Sequence, residues 1–159
     1  PTRQAALQEV VARIREQLEQ GVYPQNIGVL CGRHEYMAKM DSALRAAGIA
    51  VEAQGSQGQN RIHITQPSVK MLTMHSAKGL DFPHVYLVGL TNDGLPGARR
   101  DLPGSDSYSS GLEQQRRLLY TSMIRAGQTL VMTTVAGDEH VLLADLPSGL
   151  YRDERIAAE

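Results

Sequence analysis

One cysteine, one phenylalanine and no tryptophan occur among the 159 residues of this chain. The lone Cys31 excludes an internal disulfide and a cysteine-rich zinc site, and it reads as a small apolar core residue in a protein of a reducing compartment. With aromatics at 4%, the chain lacks the stacking platform of a tight single-strand binder. Neither sign of charge dominates. Sixteen Lys and Arg against 17 Asp and Glu leave a formal net charge of -1, which excludes a basic nucleic-acid sponge and an acidic tail protein and makes any nucleic-acid contact local. No apolar stretch approaches the ~18 residues of a membrane span and no charged-then-apolar leader opens the chain, so a cytoplasmic protein with no membrane partner is expected. A phosphate loop is missing as well: Lys78-Gly79 has neither the preceding glycines nor the following hydroxyl of G-x-x-x-x-G-K-[ST].

What is present is enough apolar residue, 42% of the chain, to bury the core of one ordinary domain. Apolar residues recur at helical spacing from Gln4 to Glu19 and stop before Gly21. "NIGVL" at 26 to 30 reads as a strand, "CGRHE" as a polar break, and Tyr36 to Ala47 as a second helix. "IAVEA" at 49 to 53 is a further strand candidate, followed by "QGSQGQN", read as a mobile loop. "VKMLTM" and "HVYLVGL" are buried strands on either side of a polar cluster. Thr91 to Gly111 collects loop residues, Glu113 to Ala126 is helical, and "TLVMTTVA" supplies a last strand. Strands alternating with helices predict an α/β layered domain with a mostly parallel sheet. The domain is expected over 1–143, with 144–159 a tail or the start of a following segment.

In such sheets function collects beyond the carboxyl ends of the strands. Arg33 and His34 follow the first strand, Thr73 to Asp81 follow the central one, and Arg125 ends the helix before the last strand, so the three segments are expected to share one edge. Each has a plain alternative. Arg33 can be a surface arginine, Arg125 can complement a helix C-terminus, and His75 can be a hydrogen-bonded structural histidine. Ser76 with Lys78 offers a Ser-Lys nucleophile pair, though without S-x-x-K or a nucleophile elbow.

"VKMLTMHSAKGLDFPHVYLVGL" (69–90) and "LEQQRRLLYTSMIRAGQTLVMT" (112–133) together resemble motifs V and VI of the UvrD/PcrA/Rep-like branch of superfamily 1 DNA helicases. The first is similar to T-x-H-x-x-K-G-L-E-F and the second to E-x-x-R-R-L-x-Y-V-x-x-T-R-A. "NIGVLCGRHEYMAKMDSALRAAGI" resembles motif IV, placed at about 26–36. The resemblance implies the second RecA-like lobe, of P-loop NTPase type, in an ATP-dependent DNA helicase or translocase of 3′ to 5′ polarity. It further implies that ATP lies between this lobe and a first RecA-like lobe, which carries the Walker lysine and holds Mg2+; this chain has no metal site of its own and as a fragment would be inactive. Arg33 and Arg125 map onto arginines that reach the γ-phosphate, suiting a charge-spreading phosphoryl transition state. Gly79 and Asp81 map to the nucleotide, Asp81 standing where the family has a ribose-approaching glutamate. Thr73 and His75 map to contacts with single-stranded or partly duplex DNA, while Arg116, Arg117 and Tyr120 are expected to pack or pair within the lobe.

Three departures stand out. Ile124 replaces a threonine, Glu113-Gln114-Gln115 reduces an acidic run and threatens a charge pair, and the stretch between motifs IV and V, where many members carry an accessory domain, spans only Ala50 to Ser68. Beginning with Pro1, the chain reads as a piece of something longer. The rival readings are a non-catalytic RecA-like regulatory or partner-binding module, supported by Ile124 and the weakened acidic run, and an unrelated α/β hydrolase using Ser76.

Overall fold

A computed structural model describes residues 2–55, 61–96 and 103–156. The first helix, α1 (Arg3–Glu19), starts at Thr2, whose side chain accepts from the Ala5 amide at 3.2 Å, and buries Leu7, Val10, Val11 and Ile14. That spacing draws one stripe along the helix. Gly21, at φ +90°, ends it in the left-handed region that glycine tolerates. Strand β1 (Ile27–Cys31), helix α2 (His34–Ala46) and the short β2 (Val51–Ala53) follow. Then come β3 (Val69–Thr73), β4 (Phe82–Val88), helix α3 (Asp106–Met123) and β5 (Ala126–Met132).

Every strand pairing is parallel, and the five strands lie in the order β2-β3-β1-β4-β5. Parallel sheets need both faces covered, and this sequence supplies two cores. Ile27, Val29, Cys31, Val69, Met71, Tyr86 and Val88 point to the face covered by α1 and α2. Leu30, Leu72, Val85 and Leu87 point the other way, joining Leu119 of α3, Leu142 and three residues of the β3–β4 connection, Met74, Ala77 and Leu80. The two-residue alternation accounts for the division. Cys31 is fully buried and burial pushes its thiol pKa up to about 12, in line with its expected packing role.

Two element starts differ most from expectation. Helix α3 begins seven residues before Glu113, because Ser105 accepts from the Tyr108 amide at 3.2 Å and Asp106 sits in the first turn. A capped, dipole-matched start outweighs the poor helix propensity of the serines that follow. Strand β5 begins at Ala126 rather than Thr129, since Ala126 already pairs with Phe82. Residues 56–60 of the loop expected to be mobile lie outside the described residues. The tail returns to the domain through Arg116–Asp145 at 3.1 Å and an Arg13–Glu154 pair.

One charged cluster is embedded in the sheet. Lys70, fully buried, pairs across from Glu52 of β2. Its Nζ donates to Glu52 Oε2 at 2.7 Å, Gln66 O at 2.9 Å and Ser68 Oγ at 2.9 Å, while Glu52 Oε1 accepts the His63 amide at 2.8 Å. All three ammonium hydrogens have acceptors, so the burial cost is offset by bonds that also fasten the returning segment 61–68. Burial pushes the Glu52 carboxyl up, but the hydrogen bonds from Lys70 and His63 outweigh it and hold the pKa below its usual value. The stabilisation is therefore present above the unfolded-state pKa and lost as pH falls through the lower folded one. Glu52→Ala should cost about 3 kcal/mol or more in urea unfolding at neutral pH, Glu52→Leu with Lys70→Met should recover most of that, and the wild-type advantage over Glu52→Ala should shrink below about pH 4.

Candidate nucleotide and DNA edges

The strand register fixes where each candidate residue can act. Cys31 pairs with Val88 and Thr73, so Arg33, Thr73 and the end of β4 lie at the carboxyl edge. Ala126 pairs with Phe82, the first residue of β4, so Arg125 and Asp81 lie at the amino edge. Seven residues of β4 separate the two edges, about 20 Å at 3.3 Å per residue. The expectation that Arg33 and Arg125 share one edge is therefore corrected. Arg125 lies just past the end of α3, and in a parallel sheet the residue before a strand sits at its start.

At the amino edge, Arg125 Nη1 donates to Asp81 Oδ1 at 2.8 Å and Nε to Thr121 O at 3.1 Å, while the Phe82 amide donates to Arg125 O at 2.9 Å. The two signature segments thus meet side chain to side chain and backbone to backbone. Arg125 is 20% exposed and Asp81 73% exposed, so the guanidinium is fixed within reach of solvent. Gly79 turns the chain just before Asp81 at φ +84°, and a Cβ there would meet nothing within 4 Å; backbone conformation, not crowding, calls for glycine.

At the carboxyl edge, Thr73 is buried. Its hydroxyl donates to Ser76 Oγ at 2.9 Å and accepts the Ser76 amide at 3.2 Å, closing the first turn of the connection. Thr73 therefore shapes the turn, whereas His75 next to it is exposed. No hydrogen bond joins Ser76 to Lys78 among the described residues, so the nucleophile pair of the hydrolase reading is not assembled.

Arg33 is occupied elsewhere. It donates through Nε to Asp93 O and through Nη2 to Leu95 O at 3.2 Å, clamping the segment that leaves β4. That segment is packed backbone to backbone: a Cβ on Gly32 would collide with the Gly94 carbonyl oxygen, and one on Gly94 with that of Gly89. Tyr36 OH bonds Thr91 Oγ1 at 2.9 Å, and Arg3 bridges Asp93 at 3.0 Å and Asp138 at 2.9 Å. Sequence reading missed this knot. Its only signal was a glycine inside the apolar run "YLVGL" and another five residues on.

Of the remaining candidates, Arg116 and Arg117 pair with Glu113 at 2.8 and 3.3 Å, so one carboxylate serves both arginines despite the shortened acidic run. Tyr120 does not pack; it is 62% exposed, and Ile124 one turn later is 49% exposed. No group of three or more His, Cys, Asp or Glu that could hold a metal ion occurs among the described residues. No described helix is long and apolar enough to cross a membrane.

Comparison with known proteins gives a consistent result. Residues 55–137 match the family described as the UvrD-like helicase C-terminal domain. DNA helicase II of Escherichia coli K12 is 38% identical over 78 residues, 48% of this chain and 10% of that protein. The ATP-dependent DNA helicase PcrA of Staphylococcus epidermidis is 38% identical over 69 residues, 43% of this chain and 9% of that protein. The chain thus matches about a tenth of these relatives' length. The crystal structure of the C-terminal domain of a possible DNA helicase from Lactobacillus plantarum WCFS1 superposes with a TM-score of 0.63 at 22% identity, covering 93% of this chain and 77% of that one; it shows the same fold.

Arg33→Ala should remove two bonds to carbonyls of the β4 exit, one exposed and one part-buried, and lower stability by about 1 kcal/mol, and Gly94→Ala should cost at least as much through backbone collision. Urea unfolding of both variants checks this; an unchanged midpoint for either would mean the knot is not what holds the β4 exit.

Proposed function

The chain belongs to the UvrD-like helicase C-terminal domain family, and from that premise we propose that it is the second motor lobe of an ATP-driven DNA helicase or translocase of 3′ to 5′ polarity. ATP with Mg2+ is the proposed substrate, bound between this lobe and a first lobe that supplies the phosphate loop and the metal ligands. The observation that carries the reading is the meeting of Asp81 and Arg125 at the amino edge of the sheet. Two separate signature segments converge there on a half-exposed, charge-dense point that the core does not require.

Arg125 is the residue assigned to the γ-phosphate. Its planar guanidinium is anchored on Thr121 O and Asp81, so it presents charge with little reorganisation to oxygens that gain negative charge during phosphoryl transfer. Arg33, bound to carbonyls at the opposite edge, is not assigned that role. His75 is assigned to the DNA backbone, with Thr73 shaping the turn that presents it. Between them, residues 74–81 run from the carboxyl edge to the amino edge across the second core, where Met74, Ala77 and Leu80 are packed. A displacement at one end of so short a packed strap is felt at the other, which offers a path for coupling grip on DNA to nucleotide state.

The regulatory-module alternative has exposed Ile124 in its favour, an apolar residue beside the arginine. Single-turnover ATP hydrolysis by the full-length parent, with and without single-stranded DNA, separates the two. Arg125→Ala should slow it by about a hundredfold or more with nucleotide affinity largely kept; an unchanged rate would favour the regulatory module.

A further inference from the structure

We propose that Asp81 is the positioning residue for Arg125 and not a ligand of the nucleotide ribose. The inference rests on the assignment of Arg125 to the γ-phosphate and adds what holds that arginine in place. Arg125 follows the last turn of α3, its amide donating to Ser122 O at 3.2 Å. Its Nε donates back to the carbonyl of Thr121, on the helix's own end, at 3.1 Å. One bond to a carbonyl leaves a long side chain free to swing about Nε. The bond from Nη1 to Asp81 Oδ1 at 2.8 Å supplies the second point and fixes the guanidinium plane, as charge-assisted bonds to arginine do.

The carboxylate is itself held in register. The Phe82 amide donates to Arg125 O at 2.9 Å and Phe82 pairs with Ala126, so Asp81 cannot slide relative to the arginine. Gly79, two residues earlier in the left-handed region, sets the direction from which the chain arrives. The side-chain length matters too. An aspartate has one methylene fewer than glutamate, and here the short arm ends on the guanidinium. Nη2 makes no hydrogen bond among the described residues, so the fork keeps a face for an anion while its other two nitrogens are fixed. Asp81 is 73% exposed, where an ion pair adds little to stability; the pairing serves orientation.

The test uses the full-length parent with Asp81→Ala, Asp81→Glu, Arg125→Ala and the double variant. Asp81→Ala should leave the unfolding midpoint unchanged and slow single-turnover hydrolysis about tenfold to a hundredfold. Affinity for a non-hydrolysable ATP analogue, measured by fluorescence titration, should stay within about twofold, and the preference for ATP over 3′-deoxy-ATP should be unaltered, because binding and ribose contacts lie elsewhere. Asp81→Glu, which keeps the charge on a longer arm, should be faster than Asp81→Ala but slower than wild type. The double variant should be no slower than Arg125→Ala alone, as expected of residues acting as one unit. Three results would overturn the proposal: a fall in analogue affinity with lost ribose discrimination, additive effects of the two substitutions, or a wild-type rate for Asp81→Ala while Arg125→Ala is slow. A wild-type rate for Arg125→Ala would instead remove the γ-phosphate assignment, and this inference with it.

Discussion

Because all five strands run in one direction, each connection must carry the chain back from the carboxyl edge of the sheet to its amino edge. Two of those returns use helices, α2 and α3. The return from β3 to β4 uses only residues 74–81, laid across β1 on the second core. That constraint explains the composition of "TMHSAKGLDF". Met74, Ala77 and Leu80 face the core, His75, Ser76 and Lys78 are exposed between them, and Gly79 turns the chain down to Asp81. The polar residues that interrupt two buried strands are the outer face of a strap whose inner face is as apolar as the strands.

The same constraint separates two kinds of site. At the carboxyl edge the chain invests backbone contacts: Gly32, Gly89 and Gly94 pack main chain on main chain, and Arg33 and Arg3 fasten the β4 exit from outside. At the amino edge it invests an ion pair that stability does not need, Asp81 with Arg125. Buried polar groups that do matter to stability, such as Lys70 and Glu52, lie on β3 and β2, at the opposite side of the sheet from β5, and are fully bonded. The distinction between a satisfied buried charge and a half-exposed ordered one marks which residues hold the fold and which are available to a ligand.

Much of this was legible in the sequence. The apolar run "VKMLTM" read as a buried strand, and Leu7, Val10, Val11 and Ile14 drew the stripe of α1. Both depend on short-range pattern, which survives into the fold. The edge on which Arg125 lies did not follow, because it depends on strand direction and register, set by pairing between distant segments. The start of α3 was missed for a local reason: the serine cap at Ser105 precedes residues with weak helix preference. The pairing of Lys70 with Glu52, and the clamp by Arg33, join residues that share no periodic signal. Motif resemblance identified the family, but assigned Arg33 a role that its hydrogen bonds to Asp93 and Leu95 do not support.

On the proposed reading this lobe is half of a catalytic device, with an ordered arginine at one edge, an exposed histidine at the other and a packed strap between. The most direct test is a crystal structure of the full-length parent with a non-hydrolysable ATP analogue, reading the distance from each arginine to the terminal phosphate. The account predicts Arg125 at hydrogen-bond distance, about 3 Å, with Arg33 still on its carbonyls some 20 Å away along the strands. A terminal phosphate bound at Arg33, with Arg125 remote from it, would contradict it.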